Sequence, residues 1–122
     1  MTRISIVDSN GPGLPALGPG FAAVLQELSG SITCSLCAPY LGQALPDEVF
    51  DGVVFTGSAV AWCVDAPEGQ ALRDMWRQVT RWKVPIWGSC NGMQLAAFML
   101  GGICTASPHG DEEGLAEAIT LT

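Results

Sequence analysis

Basic residues are scarce in this chain of 122 residues, which has 5 lysines and arginines against 12 acidic residues. The net charge of −7 repels phosphate backbones and anionic lipid surfaces. No stretch reaches the roughly 18 apolar residues that span a bilayer, and the short apolar N-terminus, interrupted by Asp8, does not resemble a signal peptide. The sequence therefore predicts a cytoplasmic protein without nucleic-acid or membrane partners.

Cysteines number five, an odd count with irregular spacing that argues against a complete disulfide framework. In a reducing cytosol they would be free thiols. The pair Cys34-x-x-Cys37 resembles a redox motif, but it falls within a predicted strand, so we interpret both as core thiols. Cys63 and Cys104 have no patterned neighbours. No cluster of histidine, cysteine and carboxylates has metal-ligand spacing, and the sequence predicts no metal and no cofactor.

Strand and helix patterns alternate along the chain, which contains 48% apolar and 14% charged residues and can therefore form a buried core. Short β-branched or apolar runs predict strands at 3–8, 31–37, 52–56 and 85–88. The helical spacing of Phe21, Val24, Leu25 and Leu28 gives one apolar face and predicts a helix that ends at Gly30. The same spacing of Leu72, Met75, Trp76 and Val79 predicts a second helix over 67–82. The segment 91–100 predicts a third helix, which is almost wholly apolar and therefore expected to be buried.

This order predicts an open, three-layer α/β fold of the flavodoxin-like type, with a mostly parallel sheet and helices on both faces. The Gly- and Pro-rich segment 9–20 predicts a flexible loop at the carboxyl edge of the sheet. Residues 115–122 resemble the start of another strand. We therefore predict that residues 1–122 are the N-terminal portion of a single, incomplete domain.

The most informative segment is 85–95, where a predicted strand passes directly into a predicted helix with Cys90 at the corner. Gly88 and Gly92 flank the cysteine and permit a sharp turn without clashing Cβ atoms. This pattern is typical of a nucleophile elbow, which exposes the nucleophile above the strand end. A helix N-terminus favours thiolate, and the amide N–H of Asn91 is placed to bind an oxyanion.

The pattern Gly88-x-Cys90-x-Gly92-x-Gln94 resembles the motif of class I (triad) glutamine amidotransferases. The similarity continues in residues 84–86 and at Leu95, and the run 50–58 resembles the third strand and oxyanion loop of that family. Good correspondence covers residues 50–102, whereas the first 49 residues agree only in pattern.

The resemblance implies a role for each matched residue. Cys90 would form a γ-glutamyl thioester, and the backbone N–H groups of Asn91, Gly57 and Ser58 would hold the tetrahedral oxyanion. Gln94 would help to seat the substrate glutamine, and the ammonia released would pass to a synthetase domain or subunit.

Two departures bear on these roles. The oxyanion loop of the family often reads Gly-Gly-Pro, whereas this chain has Gly57-Ser58-Ala59, and Ser89 occupies a position that is commonly apolar. The family takes its general base from a His-x-Glu pair much later in the chain, and the single histidine here, His109, is too close to the cysteine to match it. We interpret His109 as a solvated loop residue and expect amidotransferase activity if a His-x-Glu pair follows residue 122.

Two other interpretations fit the sequence. Related cysteine hydrolases use an elbow cysteine on a similar fold, although Gln94 argues against the peptidase-like members. A domain without a base could instead bind glutamine, or act as a regulatory or assembly subunit. Among the aromatic residues, Trp76 and Trp82 are expected to pack their helix, and Trp62 is a candidate for lining the site.

Overall fold

A computed structural model describes residues 1–104 of the chain. It contains four strands and three α-helices that follow one another in the predicted order. Their bounds are β1 Thr2–Val7, α1 Gly18–Leu28, β2 Ile32–Cys37, β3 Gly52–Phe55, α2 Gln70–Thr80, β4 Ile86–Gly88 and α3 Asn91–Met99. Short 3₁₀ turns lie at Pro39–Leu41 and Pro67–Gly69, the second leading directly into α2.

The four strands form one parallel sheet in the order β2-β1-β3-β4. The chain moves from β1 outward to β2, then returns across β1 to β3 and continues to β4 in the opposite direction. The crevice at the carboxyl ends of β1 and β3 is therefore the topological switch point, where open α/β sheets bind their ligands. The loops after β1 and β3 border this crevice.

Apolar residues cover both faces of the sheet, so the fold has three layers. On one face, α2 and α3 pack on the central strands through Trp76, Val79 and Leu95, which surround the fully buried Phe55. On the other face, α1 packs through Ala22 against Ile6 and Val54. Successive side chains along β1 and β3 point to opposite faces of the sheet, so both strands contribute buried residues to both layers. This confirms the predicted three-layer, flavodoxin-like α/β fold.

Helix α1 begins at Gly18, within the segment predicted to be a loop. Pro19 occupies the first turn, where a residue without a backbone N–H is tolerated. The start of the helix is capped from a distance, because the carboxylate of Asp8 accepts hydrogen bonds from the N–H groups of Leu17, at 2.6 Å, and Gly18, at 2.9 Å. Sequence pattern missed this start because the capping residue lies at the end of β1 and not beside the helix.

The apolar face of α1 is wider than its contact with the sheet. Val24 is 57% exposed and Leu28 is 77% exposed, although both belong to the predicted apolar face. They border an apolar groove of about 640 Å³ that extends over β3 and β4. The groove is lined by Leu17, Gly20, Phe21, Val24, Leu25, Leu28, Val54 and Trp87.

The prediction that α3 is buried is wrong for most of the helix. Its buried residues are Asn91, Gly92 and Leu95, whereas Met93 is 58% exposed and Leu100, just past its end, is 79% exposed. The helix packs through a single stripe, and an almost wholly apolar composition did not indicate how much of its circumference is covered.

Among residues 1–104, no helix has both the length and the apolar character that a membrane crossing requires. The strand predicted at 115–122 and the candidate base His109 lie outside the described residues.

Candidate active site

Cys90 lies at the corner between β4 and α3, directly before the first residue of the helix. Its backbone has φ 50° and ψ −105°, one of two positive φ values at non-glycine residues in the described part of the chain. A side chain in this region is strained by about 1–3 kcal/mol, and such strain is concentrated at functional sites. The residue is exposed. The predicted sharp corner and the accessible thiol are both present.

The two elbow glycines are needed because backbone passes directly over them. A Cβ atom on Gly88 would lie 2.5 Å from the carbonyl carbon and oxygen of Gly92. A Cβ atom on Gly92 would overlap the carbonyl oxygen of Phe55 and lie 2.9 Å from the Phe55 Cβ. The N–H of Ser89 donates to the same Phe55 carbonyl at 3.0 Å, which fixes the corner to β3. The close approach of α3 to β3 therefore requires glycine at both positions.

The loop after β3 lies against the cysteine. A Cβ atom on Gly57 would be 3.4 Å from the Cβ of Cys90, so this glycine and the Cys90 side chain are direct neighbours. The N–H of Asn91, as the first residue of α3, has no acceptor within its own helix. Gly57 and Ser58 are half-buried, and Asn91 is buried. The structure thus places Gly57 and Asn91 next to Cys90, and Ser58 follows Gly57 in the same loop.

Gln94 lies one helical turn after Cys90, and its N–H donates to the Cys90 carbonyl at 3.0 Å. The residue is exposed, and its own carbonyl accepts from the Cys104 thiol at 3.2 Å. It therefore lies on the same side of α3 as the cysteine, where it is accessible to a ligand.

The start of the loop after β1 is hydrogen-bonded to the loop after β3. Ser9 is fully buried, and its N–H donates to the Thr56 hydroxyl at 2.8 Å. Asn10 is 8% exposed, and its side-chain oxygen accepts from the N–H of Ala59 at 2.9 Å and from the Ser58 hydroxyl at 3.3 Å. Two neighbouring loops are joined at the switch point. The β1 loop was predicted at this edge, but Asn10 and Thr56 were not predicted as site residues, because their partners are far away in the chain.

Trp62, the candidate for lining the site, packs over the loop after β1. A Cβ atom on Gly11 would lie 2.8 Å from its ring. The indole also contacts Tyr40 edge-to-face, with ring centroids 5.9 Å apart. Trp62 therefore holds the loops after β1 and β3 together. The other two tryptophans considered above pack as predicted, with Trp76 buried and Trp82 half-buried against Phe50.

The remaining cysteines differ from Cys90 in position. Cys34 and Cys37 are both free and belong to the hydrophobic clusters on opposite faces of the sheet, so they do not form a redox pair. Burial raises the pKa of both thiols, which disfavours their thiolate forms at neutral pH. Cys63 is exposed in the loop after β3 and Cys104 is half-buried. Cys63 is thus the accessible thiol against which the reactivity of Cys90 should be compared.

Because the backbone at Cys90 is strained, a glycine at this position should make the protein more stable than an alanine does, the reverse of the order within a helix. In the interior of a helix, glycine is less favourable than alanine by about 0.5–1 kcal/mol. At Cys90 the positive φ is unfavourable for any side chain, so we expect Cys90→Gly to be about 1–2 kcal/mol more stable than Cys90→Ala. Urea unfolding of the two variants measures this difference. At the exposed helical position Met93 the ordinary order should hold, with Met93→Ala more stable than Met93→Gly. The same order at both positions would contradict a strained corner.

Comparisons of the chain with protein-family models, with curated proteins and with solved structures found no match.

Proposed function

We propose that this chain carries the nucleophile portion of a class I glutamine amidotransferase domain, in which Cys90 attacks the side-chain amide of glutamine. The observation that supports this most strongly is the backbone of Cys90, which has φ 50° and ψ −105° at a strand-to-helix corner with Gly57 directly beside it. The resemblance of Gly88-x-Cys90-x-Gly92-x-Gln94 to the family motif supports glutamine as the substrate.

In the proposed acylation, the Cys90 sulfur forms a bond to the amide carbon, and the carbonyl oxygen becomes an oxyanion. The N–H groups of Asn91, Gly57 and Ser58 are the donors proposed to hold that charge. Preorganised donors of this kind stabilise a transition state by several kcal/mol each when they are correctly placed. Collapse breaks the C–N bond, and the nitrogen leaves as ammonia after it gains a proton. Water then hydrolyses the thioester to glutamate and regenerates the thiol.

Complete turnover needs a group that takes the thiol proton and gives it to the leaving nitrogen. Residues 1–104 contain no histidine, so the proposed base comes from outside this part of the chain. Cys90 should therefore react once with an activated glutamine analogue more readily than it hydrolyses glutamine. The ammonia acceptor proposed for the complete enzyme is a synthetase domain or subunit.

Residues 1–104 contain no histidine, and this favours a second candidate. That candidate is a domain that binds glutamine without turnover and serves a regulatory or assembly role. Both candidates bind glutamine beside Cys90, so glutamine should raise the melting temperature in each case. Release of glutamate, measured by an enzyme-coupled assay, separates them. A related cysteine hydrolase would instead release product from another acyl substrate and show no stabilisation by glutamine.

Intact-mass measurement after treatment with a chloroketone analogue of glutamine tests the proposed nucleophile. We expect one adduct on the wild-type chain, slowed by excess glutamine and lost in Cys90→Ser. Cys63→Ser is the matched control, because it removes the other exposed thiol and should keep the adduct. Modification that persists in Cys90→Ser, or that glutamine does not slow, would show that the elbow is not a glutamine site.

A further inference from the structure

Thr56 lies at the end of β3, directly before the loop that touches Cys90, and its hydroxyl joins two parts of the site. It accepts a hydrogen bond from the N–H of Ser9 at 2.8 Å and donates one to the carbonyl oxygen of Gly57 at 2.8 Å. The side chain is fully buried, so water does not replace either partner. A hydroxyl with both a donor and an acceptor has its orientation fixed.

The hydrogen bond to Gly57 sets the orientation of one peptide unit. The carbonyl of Gly57 and the N–H of Ser58 belong to the same planar unit, in which the two groups point in opposite directions. Because Thr56 holds the carbonyl, the Ser58 N–H must point away from Thr56. Rotation of this unit would turn the N–H aside and replace it with a carbonyl oxygen, which repels an oxyanion.

A second contact fixes the next peptide unit. The N–H of Ala59 donates to the side-chain oxygen of Asn10 at 2.9 Å, and Asn10 in turn donates to the carbonyl of Pro15 at 2.6 Å. The loop 57–59 is therefore held on one side by Thr56 and on the other by Asn10. Within residues 1–104 the N–H groups of Gly57 and Ser58 donate to no protein acceptor, so neither is committed to another hydrogen bond.

We propose that Thr56 is a positioning residue, whose hydroxyl orients the Gly57–Ser58 peptide as an oxyanion donor beside Cys90. Asn10 is the second anchor of the same loop. This inference rests on the proposed function, since it assigns the loop to the charge that develops during attack by Cys90. Thr56 itself does not touch the substrate, because it is fully buried beneath the loop.

The test compares Thr56→Val, which keeps the shape of the side chain but removes the hydroxyl, with Thr56→Ser, which keeps the hydroxyl. Two reagents are used on each variant. A chloroketone analogue of glutamine forms a bond between its methylene carbon and Cys90 Sγ and releases chloride, and donors on its ketone oxygen accelerate the reaction. Iodoacetamide alkylates the same sulfur and releases iodide without needing an oriented oxyanion donor.

For Thr56→Val we expect the maximal rate of chloroketone inactivation to fall by about 10–100-fold, as for a displaced oxyanion donor. The half-saturating chloroketone concentration and the iodoacetamide rate at Cys90 should change by less than about threefold. Thr56→Ser should restore the chloroketone rate. ¹⁵N relaxation should show greater motion of the Ser58 and Ala59 amides in the valine variant than in the serine variant.

The reactivity of the wild-type chain separates an error in the role of Thr56 from an error in the proposed function. Equal chloroketone rates in the valine and serine variants, on a wild type that reacts at Cys90, would overturn the role of Thr56 alone. A parallel fall in the chloroketone and iodoacetamide rates would also overturn it, because it would show a general structural effect. A wild type whose Cys90 does not react with the chloroketone would overturn the proposed function and the oxyanion role together.

Discussion

Gly92→Ala should destabilise the protein by about 3 kcal/mol, because the added methyl group has no space. It would overlap the carbonyl oxygen of Phe55 and lie 2.9 Å from the Phe55 Cβ. Both contacts are with β3 at the centre of the sheet, and the Phe55 side chain is fully buried. Relief therefore requires α3 to move away from β3 as a unit. Urea unfolding followed by circular dichroism measures the loss.

Gly20→Ala is the matched control. Gly20 also lies within a helix, but no atom is within 4 Å of the position of an added Cβ. Alanine there should stabilise the protein by about 0.5–1 kcal/mol. If both variants fold, the rate of chloroketone labelling at Cys90 also tests the packing, because displacement of α3 moves Cys90 away from Gly57. We expect slow chloroketone labelling in Gly92→Ala and ordinary labelling in Gly20→Ala. Equal stability of the two variants would contradict the tight packing of the elbow.

The fold was predictable because it depends on patterns that are local in sequence. The unbroken apolar run at 52–55 becomes a strand with every residue buried, and the helical spacing of Leu72, Met75 and Val79 becomes the buried face of α2. Extents of burial were less predictable. Val24 and Leu28 have the spacing of a core face yet remain exposed, since spacing indicates which side of a helix is apolar and not what covers it.

In the candidate site, too, features local in sequence were predictable and contacts between distant segments were not. The elbow was predictable because Gly88, Cys90 and Gly92 are close in sequence and each follows from the geometry of one turn. Thr56 and Asn10 were not, because their roles come from hydrogen bonds between loops separated by 47 to 49 residues. A general signal was available, since polar residues at the carboxyl ends of β1 and β3 must meet at the switch point of the sheet. That rule gives the neighbourhood but not the hydrogen-bond partners.

Asp8→Ala should cost about 3 kcal/mol of stability, although Asp8 is remote in sequence from the elbow and belongs to no motif. Its buried carboxylate accepts three backbone hydrogen bonds, from Leu17 and Gly18 at the start of α1 and from Asn10 at 3.1 Å. The negative charge also lies at the positive end of the helix dipole. Alanine would leave three N–H groups without an acceptor, two of them at a helix start that has no side-chain cap of its own.

Asp51→Ala provides the comparison. The Asp51 carboxylate also accepts a backbone hydrogen bond, from Arg3 at 2.8 Å, but it is exposed and water can replace it. Its loss should cost less than about 1 kcal/mol in the same urea experiment. The two variants should also differ at the site, because Asp8 holds the backbone of Asn10, and Asn10 holds the loop 57–59 beside Cys90. Slower chloroketone labelling in Asp8→Ala than in Asp51→Ala, with equal iodoacetamide rates, would show that the start of α1 and the proposed oxyanion loop share one anchor. Equal stability of the two variants would show that the buried carboxylate contributes no more than an exposed one.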